Sequence, residues 1–171
     1  MQIEQITNIT KLHLKRLEDA LDDEAWQHEE MEFFRLSTLT ESAHIHDVVL
    51  PIWRDINGHV IVVGSFGGSD KEPDWVANLR KRAGLFYTRN EFFCFEAEFL
   101  SGIERTSIWE QLCTDRPYYL DYQQKTTRVF PLIRINQCDS PFPLLRDLER
   151  NRGRCSHRRW GSTLYAVFAI R

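Results

Sequence analysis

Between an apolar run, Val60-Ile61-Val62-Val63, and a segment with helical character that begins near Trp75, the chain carries Gly64-Ser65-Phe66-Gly67-Gly68-Ser69-Asp70-Lys71. Paired glycines allow φ above zero and let the backbone approach a bound group closely. A Ser- and Gly-lined loop feeding a helix start offers backbone N–H groups to an anion, and the Lys71 ammonium adds charge at the same place. An ordinary strand-to-helix turn uses the same residues, and both readings fit the loop taken alone.

Two other groups have spacings suited to chemistry. His44 and His46 alternate as strand neighbours do, so both face one way. There they can do acid/base work, recognise a ligand, or bind a metal together with a third group such as Asp47 or His28. Plain exposed or core histidines give the same pattern, and no metal is assigned. Tyr118, Tyr119 and Tyr122 follow Pro117, as hydrogen-bond donors or as aromatic packing with satisfied hydroxyls. Cys94, Cys113, Cys138 and Cys155 are scattered with no Cys-x-x-Cys pair, so neither a zinc ribbon nor a disulfide framework is read. Reduced thiols are expected, and Cys113 reads as a small buried hydrophobe. Arg146, Arg150, Arg152, Arg154, Arg158 and Arg159, with His157 and Trp160, form a basic cluster. It reads as a solvated or dimer-contact segment, as an anion grip, or as a nucleic-acid contact.

The balance of the chain narrows the classes. A length of 171 residues, 42% of them apolar and 27% charged, suits one core. A formal charge of −3 gives no general attraction to nucleic acid or anionic membrane, and partners of those kinds are not implied. No apolar stretch approaches the ~20 residues of a membrane helix and no leader is read, so a cytoplasmic protein is expected.

The elements that must position these groups follow from periodicity and breakers. Leu12, Leu14, Leu17, Ala20 and Leu21 recur at helical spacing, which predicts an amphipathic helix over residues 9–21, extendable to 26. Strands are predicted over 33–39, 47–54 and 59–63, the last two joined by a hairpin signal at Asn57-Gly58. A short helix over 75–82 follows, stopped by Gly84 and preceded by Pro73. Aromatic-rich strands over 85–89 and 91–100, a helix capped at Thr106 or Ser107 and ended by Pro117, and a strand over 127–135 complete the core. Beyond it, Ser140-Pro141-Phe142-Pro143 reads as a stiff link, 144–149 as a helical turn and 161–170 as an added strand.

Two blocks carry a longer resemblance. Gly64-Ser65, Gly67-Gly68, Lys71, Pro73, Trp75 and Asn78-Leu79 make the first; Pro117 to Thr126, then Arg128 and Pro131, make the second. In this order and at this separation they resemble the deazaflavin-dependent nitroreductase family over residues 33–135. The resemblance implies an α+β fold, a mostly antiparallel split β-barrel of the flavin-reductase type. An N-terminal helical segment (1–32), the ligand-binding barrel (33–135) and a C-terminal extension (136–171) are expected. It implies a deazaflavin coenzyme held by Ser65, Gly67, Gly68, Lys71, Trp75 and Asn78, and a homodimer. Tyr119 and Tyr122 would face the substrate, with His44 and His46 as further catalytic candidates. Members often build a lid over the barrel mouth from the N-terminal segment, the alternative here being a solvated acidic face.

One segment departs from the pattern. Where members carry a Gly- and cation-bearing loop that grips the anionic tail of the cofactor, this chain has Thr40-Glu41-Ser42-Ala43-His44-Ile45-His46-Asp47. Two carboxylates there would repel that tail. The leading expectation is an oxidoreductase passing hydride from a reduced deazaflavin, or FMN, to a quinone, nitro compound or enone. The alternative is a cofactor-free barrel that carries, cyclises or isomerises a small organic molecule.

Overall fold

The computed structural model describes residues 3–138 apart from 20, 21, 43 and 82. Four helices, α1 (Ile3–Arg16), α2 (Asp74–Leu79), α3 (Gly102–Asp115) and α4 (Tyr118–Gln123), surround eight strands. The strands are β1 (Gln27–His28), β2 (Met31–Leu39), β3 (Ile45–Pro51), β4 (Trp53–Arg54), β5 (Val60–Val63), β6 (Gly84–Tyr87), β7 (Phe92–Phe99) and β8 (Leu132–Gln137). Every pairing is antiparallel, in the order β1-β2-β6-β7-β8-β5-β4, with β3 on the other side of β2. The fold is therefore α+β, a curled antiparallel sheet of split-barrel type.

Residues 45–54 explain how the sheet curls. Expected as one strand over 47–54, they start as β3 on β2 (Leu39↔Ile45, Phe33↔Pro51) and finish as β4 on β5 (Trp53↔Ile61). Between them Ile52 leaves β3 but still donates its N–H to Glu32 O at 2.8 Å. One run of chain thus spans from one sheet edge to the other. The Asn57-Gly58 turn appears as expected, with Gly58 at φ 83. It is clasped by Asp55, whose Oδ1 accepts from the N–H groups of Asn57 and His59, each at 2.9 Å.

Apolar residues fill both faces of the sheet. One cluster, with Phe34, Leu36, Val62, Phe86, Phe95 and Ile133, takes Trp75, Val76 and Leu79 from α2; Phe34, Phe86 and Phe93 stack in sequence. A second joins Trp53, Ile61 and Leu132 to Ile108 and Leu112 of α3 and to Tyr119 of α4.

Several boundaries differ from expectation for identifiable reasons. The first helix begins at Ile3 and stops at Arg16, because Arg16 binds Asp22 through two bonds of 2.7 and 2.8 Å and Asp22 caps a short turn, Asp23–Ala25. Gly84 is not a helix stop. It opens β6, and a Cβ there would lie 2.6 Å from the Phe95 ring. Pro73 precedes α2 as its extended N-cap, and α2 is over by Leu79. Helix α3 starts after Ser101, four residues or more before the expected cap, and the tyrosine segment forms a helix of its own, α4. The expected features at 140–143, 144–149 and 161–170 lie outside the described residues.

Candidate functional site

Strand β5 delivers the Gly-rich loop to the start of α2. Ser65 is right-handed (φ −74, ψ −37), whereas Phe66 (φ 49) and Gly67 (φ 64, ψ 19) are left-handed. Phe66 holds a conformation that costs a non-glycine residue about 1–3 kcal/mol, the kind of strain that collects at functional loops. A right-handed residue followed by a left-handed one turns consecutive N–H groups into a concavity that suits an anion. Among the described residues, the N–H groups of Ser65, Phe66 and Gly67 make no hydrogen bond.

The carbonyls of the loop face elsewhere. Arg128, between α4 and β8, gathers them: Nη1 donates to Gly64 O at 2.9 Å, Nη2 to Ser65 O at 2.9 Å and to Ser69 O at 3.0 Å, and Nε to Ser69 O at 3.1 Å. Burial lowers the pKa of its guanidinium, with Glu72 and Asp70 opposing. Gln123 steadies the Arg128 segment through bonds to Thr126 O and Arg128 O. Gly68 (φ 86) packs so closely on α4 that a Cβ would stand 2.6 Å from Tyr122 O. Arg128 occurs in the second resembling block, but nothing in its local sequence reveals that it organises a loop 64 positions away.

The remaining candidates divide around this loop. Ser65 is buried and Lys71 exposed, with Nζ 3.1 Å from Asp74. Trp75 is 4% exposed and belongs to the core. Asn78 donates through Nδ2 to Thr38 Oγ1 at 2.9 Å, tying α2 to β2. Tyr119 is 7% exposed, and burial raises its hydroxyl pKa, aided by hydrogen-bonding contact with Tyr118. Tyr122 is half-buried, its pKa raised by burial to a lesser extent, and it stands edge-on to Tyr119 with the Lys125 ammonium 5.2 Å from its ring centre. Loop and tyrosines meet because α4 packs on the 66–68 turn.

His46 lies toward the C-terminal end of α2, where Asn78 binds Thr38, the residue opposite His46 in the β2–β3 ladder. His44 is not a strand residue. Its Nδ1 lies 2.8 Å from Ser42 Oγ and its N–H donates to Thr40 Oγ1, so the β2–β3 turn is closed by its own hydroxyls. His46 lies on β3 opposite Thr38, and its Nδ1 is buried with no hydrogen-bond partner among the described residues. His44 thus stands at the turn, where its carbonyl accepts from the Thr40 N–H at 2.9 Å, and His46 within the ladder. Glu41 and Asp47 do not present bare charge: Lys81 pairs with Glu41, while Arg35 (2.7 Å) and Ser37 bind Asp47. Among the described residues no group of three or more His, Cys, Asp or Glu side chains could hold a metal.

A separate cleft of about 680 Å³ opens at the far end of the barrel, between the 23–25 turn, the start of β2 and the β6–β7 turn. Asp23, Glu24, Glu29, Glu32 and Glu91 outnumber Arg54 and Arg89 on its walls, which suits no polyanion.

Similarity to known proteins agrees with this fold. A structure described as an F420-H2 dependent reductase, FDR-A, matches at 26% identity and TM-score 0.53 over 61% of this chain and 93% of its own. A second, described as a domain-swapped dimer, shares the fold at 22% identity and TM-score 0.56, over 76% of this chain and 98% of its own. A reduced deazaflavin is the cofactor that such a reductase implies; the acidic cleft does not suit an anionic group, whereas the Ser65 to Gly67 amides carry no competing bond. The family model for F420H(2)-dependent quinone reductase matches residues 49–137, from within β3 to the end of β8, and the chain belongs to that family of deazaflavin-dependent enzymes.

Proposed function

We propose that this chain reduces a conjugated small molecule, a quinone, nitro compound or enone, beside the 64–71 loop and α4. The reduced deazaflavin supplies the hydride. The observation that carries the reading is the Arg128 cage: with the loop carbonyls bound on one side, the amides of Ser65, Phe66 and Gly67 are left for an anionic group of the cofactor. Lys71 can turn from exposed Asp74 to the same anion.

Tyr122, the more exposed phenol, would donate a hydrogen bond to the acceptor oxygen as negative charge develops. Tyr119 stands behind it as the second candidate donor, while Trp75 and Asn78 fix the helix that follows the loop. His46, with an unpartnered buried Nδ1, is the better placed of the two histidines for a ligand contact. Catalysis is thereby assigned to residues 33–135, with 1–32 and 136–171 as flanking parts. Helix α1 runs beside β3 and the 66–68 turn without burying any of its residues, which supports a covering role. Cytoplasmic residence and a homodimer complete the proposal, the latter supported by the relative described as a domain-swapped dimer.

Titration of the purified protein with deazaflavin and, separately, FMN, followed by fluorescence, tests the reading. Saturable deazaflavin binding and turnover of a quinone or nitroaromatic with the reduced cofactor are expected. Absence of binding to either cofactor would return the cofactor-free alternative.

A further inference from the structure

Two cysteines distant in sequence meet at the end of the β7–β8 ladder. Phe95 pairs with Gln137, so the next step of the register sets Cys94 opposite Cys138, and the Cys138 N–H donates to Cys94 O at 3.0 Å. Directly opposed residues of antiparallel strands have Cα atoms about 4.5–5.5 Å apart, inside the range of about 4.4–6.8 Å that a disulfide bridges. Both thiols are free, their side chains are in hydrogen-bonding contact, and both pack on the cluster of Leu39 and Leu85. Cys94 is buried and Cys138 half-buried.

We propose that Cys94 and Cys138 form a reversible cross-strand redox pair, oxidised by a low-molecular-weight disulfide such as glutathione disulfide. Cys138, the more accessible, attacks as its thiolate on one sulfur of the glutathione disulfide and releases one glutathione thiolate. Cys94 then loses its proton and attacks the Cys138 sulfur of the mixed disulfide, which releases the second glutathione. The protein dithiol loses two electrons and two protons, and one glutathione disulfide becomes two glutathiones. Burial and the neighbouring sulfur push the Cys94 thiol up to about 12, so the second step is the slow one and the reduced pair persists until an oxidant disulfide accumulates. The bond would tie the end of β8 to β7.

The full chain carrying Cys113→Ser and Cys155→Ser isolates the pair. Incubated with graded ratios of glutathione disulfide to glutathione, it should lose two titratable thiols together and two hydrogens of mass. Peptide mapping should place the bond between Cys94 and Cys138, and the oxidised chain should melt several degrees above the reduced one. Cys138→Ser, at the half-buried position and therefore the milder change, should abolish closure and the added thermal stability. A stable glutathione adduct at Cys138 that never closes, a bond between two chains, or in the wild type a bond from Cys138 to Cys155, overturns the proposal. So does an oxidised chain whose melting temperature is unchanged. None of these readouts depends on deazaflavin binding, so the pair stands or falls independently of the proposed reductase activity.

Discussion

Arg128 and Lys71 are both cations near the same loop, yet their roles are not interchangeable. A guanidinium forks toward three carbonyls at once, whereas one ammonium at that depth satisfies fewer of them. Arg128→Lys should therefore keep the barrel at a cost of about 1–3 kcal/mol while lowering deazaflavin affinity roughly tenfold or more, read by melting and fluorescence titration. Equal affinity in a folded variant would remove the cage from the argument. The same scale separates the tyrosines. Tyr122→Phe should lower kcat more than it raises KM, as expected for an interaction that strengthens in the transition state. Tyr119→Phe, at a buried phenol, should act mainly on stability; a selective kcat loss in Tyr119→Phe would move the donor role there. The Gly-Gly loop was legible in the sequence because its signal is local: glycine frees φ wherever it stands. The role of Arg128 was not, because it exists only once β8 is paired with β5 and α4 packs on the loop. Trp75 and Asn78 shared the loop's block of sequence, yet one is core and the other a tether to Thr38.

Element boundaries decide which chemistry spacing can deliver. His44 and His46 have strand spacing, but β3 begins at Ile45: the His44 carbonyl still accepts from the Thr40 N–H, while its own N–H goes to Thr40 Oγ1 instead of a second ladder bond. Hydroxyls in turns compete with ladder bonds in this way, and periodicity does not record the contest. The hairpin after β4 was legible because Asn-Gly carries its own turn geometry. Its clasp also has a pH signature. Burial pulls the Asp55 carboxyl up, but hydrogen bonds from the His59 side chain and from the His59 and Asn57 N–H groups outweigh it, so the folded pKa lies below its ordinary value. A lowered folded pKa means stability present above the unfolded value and lost as pH falls through the folded one. Asp55→Asn should thus cost about 2 kcal/mol at neutral pH, where the carboxylate accepts three bonds. That deficit should shrink in urea melts as pH is lowered from 5 through the acid range. A constant deficit would mean that shape, not charge, holds the turn. At Gly84 the element is fixed by space instead: Gly84→Ala drives a Cβ into Phe95 and should destabilise by about 1–3 kcal/mol with the cofactor site unchanged in ligand specificity.

At the scale of the whole molecule the question is how a chain with net charge −3 holds an anionic cofactor. The cleft at the far end of the barrel concentrates carboxylates, and Glu41 in the β2–β3 turn and Asp47 on β3 add two more. Both of these are paired to cations, so they neither grip a tail nor repel it at full strength. Fixed positive potential in the described site comes from backbone amides, Lys71 and Lys125, and from Arg128, whose donors are directed at carbonyls while its charge remains. Amide dipoles act over one contact and are barely altered by salt, whereas a field from clustered cations falls off within a Debye length of about 8 Å at physiological ionic strength. Salt dependence therefore distinguishes the two sources. If the Arg146 to Arg159 cluster supplies the missing grip, deazaflavin affinity in the full chain should fall steeply between low and high salt. Replacing Arg150, Arg152, Arg154 and Arg158 by Gln should weaken binding at low salt, flatten that slope, and leave the melting temperature of the barrel in place. Affinity that is tight, indifferent to salt and unchanged by the four substitutions would leave the Ser65 to Gly67 amides and Lys71 as the whole of the anion site, with the Arg cluster serving some other contact.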